Sequence, residues 1–225
     1  EQSMLLRVTN LAPEDAKAVY KNTAFDMRQY KRLQMFVHAE QLINDAYNLR
    51  DNDLTCFIRI GSDMVNNYYE YEVPLMLTPH GVYSSSSTRD REIVWHPDNM
   101  IDFPFEYLTD AKLKRNKEKG GSSEVSNLIP YPVFDPDKPR NRITVVGNPS
   151  ISEVENIMIG VRNRSNNIKS AEIWVNELRM SQFNEDSGWA GMANVAVGLS
   201  DLGSINLAGR AETSGFGSIE SSVMD

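Results

Sequence analysis

Cysteine is almost missing from this chain: Cys56 has no second cysteine to pair with, which excludes an internal disulfide. It sits in Leu54-Thr55-Cys56-Phe57-Ile58-Arg59-Ile60, where it reads as a small buried hydrophobe on a strand. Histidine is also scarce. His38, His80 and His96 are scattered, without H-x-x-x-H or H-E-x-x-H spacing, so the sequence carries no zinc signature. No stretch approaches the roughly 20 apolar residues of a spanning helix. A barrel strand needs only about 9–11 residues, so membrane strands stay open. Positive charge is in deficit as well. The formal net charge is −8, which argues against nucleic acid or an anionic lipid surface as partner. The local exception, KLKRNKEK at 112–119, reads as a solvated helix end.

The signatures of enzymes are missing too. There is no G-x-S-x-G, P-loop or paired-carboxylate motif, and Ser84 to Ser87 form a polar loop rather than a nucleophile site. Asp51, Asp53 and Asp63 lack the regular ligand spacing of a calcium loop and read as turn residues. The expectation is therefore a non-enzyme with no catalytic residues, metal or cofactor. Glu1 is followed closely by apolar Met4, Leu5, Leu6 and Val8, without a basic and apolar leader, so the chain is expected to begin inside a domain.

What the chain does have is β-sequence. Runs rich in β-branched and aromatic residues lie at 4–9, 33–39, 54–60, 68–75, 143–146, 157–162 and 171–178. In Tyr69-Glu70-Tyr71-Glu72-Val73 the alternation is strict, with Tyr69, Tyr71 and Val73 on one face and Glu70 and Glu72 on the other. Pro74, lacking a donor, belongs on an edge or at a strand end. Around Trp174 both faces carry apolar groups, which predicts a strand covered on both sides. Two helices are expected. One spans 40–49. The other spans 104–117, with Pro104 in its first turn and Gly120-Gly121 as its stop. Pro130, Pro132, Pro136 and Pro139 predict an extended connector. Seven strands without βαβ alternation favour an antiparallel, jelly-roll-like β-sandwich over residues 1–182.

From 183 to 225 the pattern changes. Ala193, Val195, Val197 and Leu199 alternate with Asn194, Ala196, Gly198 and Ser200. After Asp201-Leu202-Gly203, Ile205 and Leu207 alternate with small or polar residues. This predicts a β-hairpin with one apolar face. Periodicity alone fits either outer-membrane barrel strands or a half-buried hairpin of a soluble sheet. A further candidate is an aromatic binding platform built from Tyr69, Tyr71 and Trp95, with Tyr68 and Tyr131 nearby, of the kind on which β-sandwich modules stack sugars.

Several longer blocks resemble a known family. They are RQYKRLQMFVHAE at 28–40, FIRIGSD at 57–63, NYYEYEVPL at 67–75, GNPS at 147–150, IGVRN at 159–163 and AEIWVNELR at 171–179. With GWA at 188–190 and SGFGSIE at 214–220, they are similar to the SprA/Sov family of Bacteroidota. The resemblance implies a fragment of a giant outer-membrane β-barrel, the type IX secretion translocon tied to gliding motility. It implies a PorV-type shuttle barrel, a plug protein and secreted cargo as partners, and no catalytic residues. It turns the hairpin reading toward barrel strands. The expectation is a non-catalytic structural or docking domain at the barrel mouth. The rival reading is a cell-surface carbohydrate-binding module.

Overall fold

The computed structural model describes residues 3–42, 48–121, 124–183, 190–199 and 203–212. The chain divides into two compact units, Glu1–Phe183 and Asn184–Asp225.

The first unit is an antiparallel β-sandwich. Its strands are β1 (Met4–Leu11), β2 (Ala16–Phe25), β3 (Tyr30–Gln41), β4 (Leu54–Asp63), β5 (Asn67–Pro74), β6 (Ile101–Pro104), β7 (Tyr131–Phe134), β8 (Arg142–Val146), β9 (Val154–Asn163) and β10 (Lys169–Phe183). One sheet has the order β1-β10-β3-β6 and the other β2-β9-β4-β5-β8-β7. Alternation explains the layering, because every second side chain of a strand points inward. Leu33, Met35 and Val37 from the smaller sheet meet Ile58, Tyr71 and Val161 from the larger one in a single buried core. The Tyr71 and Phe103 rings stack at 4.2 Å and join the two sheets. Pro74 ends β5, as its missing donor requires.

Two helices flank the sheets. The second, α2 (Glu106–Lys119), stops at Gly120 as expected from sequence, but its start is corrected: Pro104 ends β6 instead of opening the helix, which begins two residues later. It buries Leu108, Ala111 and Arg115. The first, α1 (Thr88–Val94), is an element the sequence did not announce; it begins directly after Ser84–Ser87, which form a loop as expected. Its N-cap Ser87 accepts the Asp90 N–H, and it buries none of its residues, so no apolar period announces it. The helix expected at 40–49 is also corrected at its start: Glu40 and Gln41 continue β3. Positions 43–47 lie outside the described residues. The proline-rich connector contains β7, a four-residue edge strand that tolerates Pro132. Among the described residues no helix is long and apolar enough to cross a membrane.

Trp174 corrects another expectation. Ala171, Ile173 and Val175 are buried, whereas Trp174 lies on the outer side of the smaller sheet and is half-buried. It pairs with Leu5 and His38. Ile173→Ala is therefore expected to cost about 2–5 kcal/mol. Trp174→Ala should cost roughly 1–1.5, because only part of its surface is removed from water. Paired urea melts check the order; a larger loss at Trp174 would place that face under cover.

The second unit contains a two-stranded antiparallel sheet. Here β11 (Ala190–Leu199) pairs with β12 (Gly203–Glu212) in unbroken register, from Ala190 opposite Glu212 to Leu199 opposite Gly203. The hairpin is thus present; the side-chain alternation expected of it lies outside the described residues.

Candidate functional site: an arginine and glutamate layer on the larger sheet

The inner face of the larger sheet is apolar, so alternation turns Thr55, Phe57, Arg59, Tyr68, Glu70, Glu72, Arg142 and Arg162 outward. Register then decides which of them meet. Phe57 lies opposite Glu72 on one side and Gly160 on the other; Arg59 lies opposite Glu70. Arg142 lies opposite Glu72.

Glu70 accepts hydrogen bonds from Arg59 Nη2 at 2.6 Å and Arg162 Nη1 at 2.8 Å. Glu72 accepts from Thr55 Oγ1 at 2.6 Å, Arg142 Nη2 at 2.5 Å, and Arg164 Nε and Nη2 at 2.9 and 2.8 Å. Arg162 also pairs with Glu72 at 3.0 Å. Both carboxylates are almost wholly buried, Glu70 at 3% and Glu72 at 2% exposure, although they point away from the core. The arginines themselves cover them. Such desolvated charges are tolerable because every carboxylate oxygen has guanidinium partners.

Aromatic rings complete the layer. The Arg59 guanidinium lies 3.8 Å from the Tyr68 ring centre, and that of Arg162 lies 4.6 Å from Phe57. The Phe57 ring crosses the backbone at Gly160, where a Cβ would overlap the ring and stand 2.7 Å from Ala18 Cβ. Only glycine permits that approach. Burial works against the charge of Arg162, but Glu70 and Glu72 more than offset it and hold the guanidinium above its usual range. Burial also raises Tyr68.

Four guanidiniums, those of Arg59, Arg142, Arg162 and Arg164, face two buried carboxylates, so the layer has a local sum of 4 − 2 = +2. Glu14, on Arg164 at 2.9 Å, lowers it to +1. Arginine does not give up its proton in proteins, so the layer keeps these four positive charges and is suited to holding a shape and offering charge.

A second polar cluster holds the loop after β8. Gly147 has φ +72° and its carbonyl accepts from Arg115 Nη1 at 2.6 Å. Arg115 is fully buried, and burial holds its guanidinium below the usual range. The Pro149 carbonyl accepts from Tyr69 Oη and Lys112 Nζ, both at 3.0 Å. Asn67 Oδ1 accepts the Asn148 N–H at 2.9 Å, and Asn67 Nδ2 donates to Asp63 at 2.8 Å. The GNPS block thus links α2 to the β4–β5 turn.

The sequence-derived binding residues are placed differently from one another. Tyr69 and Tyr71 are 2% and 1% exposed and face the core. The Tyr71 hydroxyl donates to Asp135 and accepts from Asn141 Nδ2. Burial raises both phenols well above their usual range. Trp95 lies on the smaller sheet instead, edge-on to Phe36 at 6.2 Å and His38 at 6.0 Å. The three rings do not share a face, so no single stacking platform forms from them. His38 is 8% exposed with Nδ1 donating to the Val94 carbonyl at 2.8 Å. Asp51 and Asp53 serve turns, accepting from Leu77 N and Arg50 N.

Sequence reasoning found the Glu70 and Glu72 face but not the layer. The available signal was the arginines at alternate positions on neighbouring strands: Arg59 on β4 and Arg162 on β9. Cys56 points inward. Burial first, and the charge of Glu72 second, push its thiol up to about 12. Native protein should therefore not react with a thiol reagent at pH 8, and should react once unfolded; rapid native labelling would show that the core opens at Cys56.

A search of curated proteins gave no match. A model of the SprA_N family, described as motility related/secretion protein, matches residues 1–225, the whole chain. The likeness carried by the sequence blocks is thereby established at the level of the family: this chain belongs to the SprA_N family of motility related/secretion proteins.

Proposed function

We propose that the chain is a non-catalytic structural and docking domain of an outer-membrane protein-secretion translocon, of the type IX kind that also serves gliding motility. The match of the whole chain to a motility and secretion family carries this reading. The charge layer supports it, because Glu70 and Glu72 hold its guanidiniums in a fixed arrangement. In this reading the sandwich braces the translocon and docks one of its protein partners, a shuttle barrel, a plug or secreted cargo. The hairpin at 190–212 contributes strands to the barrel wall.

The test is to tag the full-length protein in its native envelope and extract it in mild detergent, with and without residues 30–180. Loss of a specific partner on deletion, with the barrel still assembled, is the expected result. Retention of every partner would leave only a bracing role. A full-length protein absent from outer-membrane fractions would overturn the reading.

A further inference from the structure

The four strands that end the two sheets are managed unequally. On one side of the sandwich, β6 and β7 are four residues long and contain Pro104 and Pro132. Helix α2 packs against both. These are familiar ways of blunting an edge. On the other side, β1 loses register after Val8, with Asn10 at φ +53°. The remaining edge, β2, is ten residues long and keeps register with β9 over the seven residues Ala16 to Asn22, shifting only before Phe25. Among the described residues no strand pairs with its far side.

β2 also projects beyond cover. Eight of its ten residues are exposed, with Val19 at 44% and Tyr20 at 67%. Register places Lys17, Val19 and Lys21 opposite Val161, Ile159 and Ile157. These side chains therefore lie on the core-side face, past the point where the smaller sheet covers it. Neither lysine has an ion-pair partner among the described residues. Ala16, Ala18 and Tyr20 lie on the other face, beside Arg162 and Gly160.

We propose that β2 is a docking edge that accepts an extended acidic strand of another polypeptide. Unpaired ladder groups along a strand edge are satisfied only by another extended backbone. Charge selects the occupant. Carboxylates four residues apart on one face of the incoming strand meet Lys17 and Lys21, while its other face packs on Ala18 and Tyr20. A second copy of this chain, paired about Val19, would set Lys17 against Lys21, an unfavourable opposition. The inference deepens the docking reading and rests on it. Peptide binding by the chain alone and partner recovery from envelopes can fail separately.

The test is fluorescence anisotropy with the full 225-residue chain. The probe is a labelled decapeptide of alternating pattern, with two glutamates four residues apart on one face and valine and tyrosine on the other. A second probe carries lysines in place of the glutamates. Two more carry N-methyl groups at alternate amides, one in each phase. The glutamate probe is expected to bind, and one methylation phase to abolish binding. Lys17→Glu with Lys21→Glu should weaken binding about tenfold or more and turn preference to the lysine probe, the scale of two exposed ion pairs becoming repulsions. Both lysines are exposed, so the fold is expected to survive, and a urea melt checks this. No saturable binding, or binding indifferent to N-methylation, overturns the proposal. Concentration-dependent dimerisation lost in the double variant overturns it in favour of a second copy.

Discussion

Glu72→Ala is expected to lower the stability of the sandwich by about 3–5 kcal/mol, the scale of removing one partner from a buried ion pair. The reason is the arrangement of its neighbours. Arg142, Arg162 and Arg164 all direct guanidinium nitrogens at this one carboxylate, and Thr55 donates to it as well. At 2% exposure, Glu72 leaves no room for solvent to share the work. Its removal would raise the local charge sum by one and leave an apolar methyl among three cations. Glu14 provides the internal control. It pairs with the same Arg164, but its side chain is 67% exposed. Its replacement should cost no more than about 1 kcal/mol, because water and salt screen the pair. Urea melts of the two variants decide the matter. Equal losses would mean that the layer is an ordinary solvated surface and that Glu72 has no special weight.

The second large effect is expected at Gly147. The backbone there is left-handed, and alanine in that region costs about 1–2 kcal/mol. The position is also crowded: a Cβ would overlap the Asn66 carbonyl oxygen and lie 2.8 Å from its carbon. Relieving that overlap moves backbone, which adds about 1–3 kcal/mol. Gly147→Ala should therefore cost roughly 2–5 kcal/mol in all. It should also loosen the bond from buried Arg115 to the Gly147 carbonyl. Gly121 is the comparison, since a Cβ there meets only the Glu118 carbonyl oxygen at 3.8 Å. Gly121→Ala should stay within about 0.5 kcal/mol. If both variants melt alike, the GNPS loop is not the clasp between α2 and the β4–β5 turn that its hydrogen bonds describe.

Much of the architecture is legible in the sequence. The run Tyr69 to Val73 announced a strand with one aromatic and one acidic face, and that is how β5 is built. Pro104 and the glycine pair bracketed α2 to within two residues. The elements that escaped did so for two reasons, exposure and shortness. β2 faces solvent on both sides over most of its length, so its residues carry no apolar alternation. α1 buries nothing, and its only mark in the sequence is Ser87 three residues before Asp90. β6 and β7 are too short for a period to develop and contain prolines. Hydrophobic pattern reports burial over a full period; where an element is exposed or shorter than its period, pattern is silent.

The site was harder to read than the fold. Glu70 and Glu72 stood out as acidic positions on an interior strand, yet what they meet comes from residues 59, 142, 162 and 164. Sequence alone determined that this is a β-rich chain with one usable face per strand, and its longer blocks marked the family. It also determined the separation of Tyr69 and Tyr71 from Glu70 and Glu72 on β5, because side-chain direction is a property of one strand. Only the tertiary structure decided that the tyrosine face is the core and the glutamate face an arginine-covered exterior. The same is true of Gly160, left bare beneath a phenylalanine ring from another strand. Those outcomes depend on register across the β4–β5 hairpin and between segments some seventy to a hundred residues apart. A slip of one residue would reverse every face, and no local signal in the chain encodes that choice.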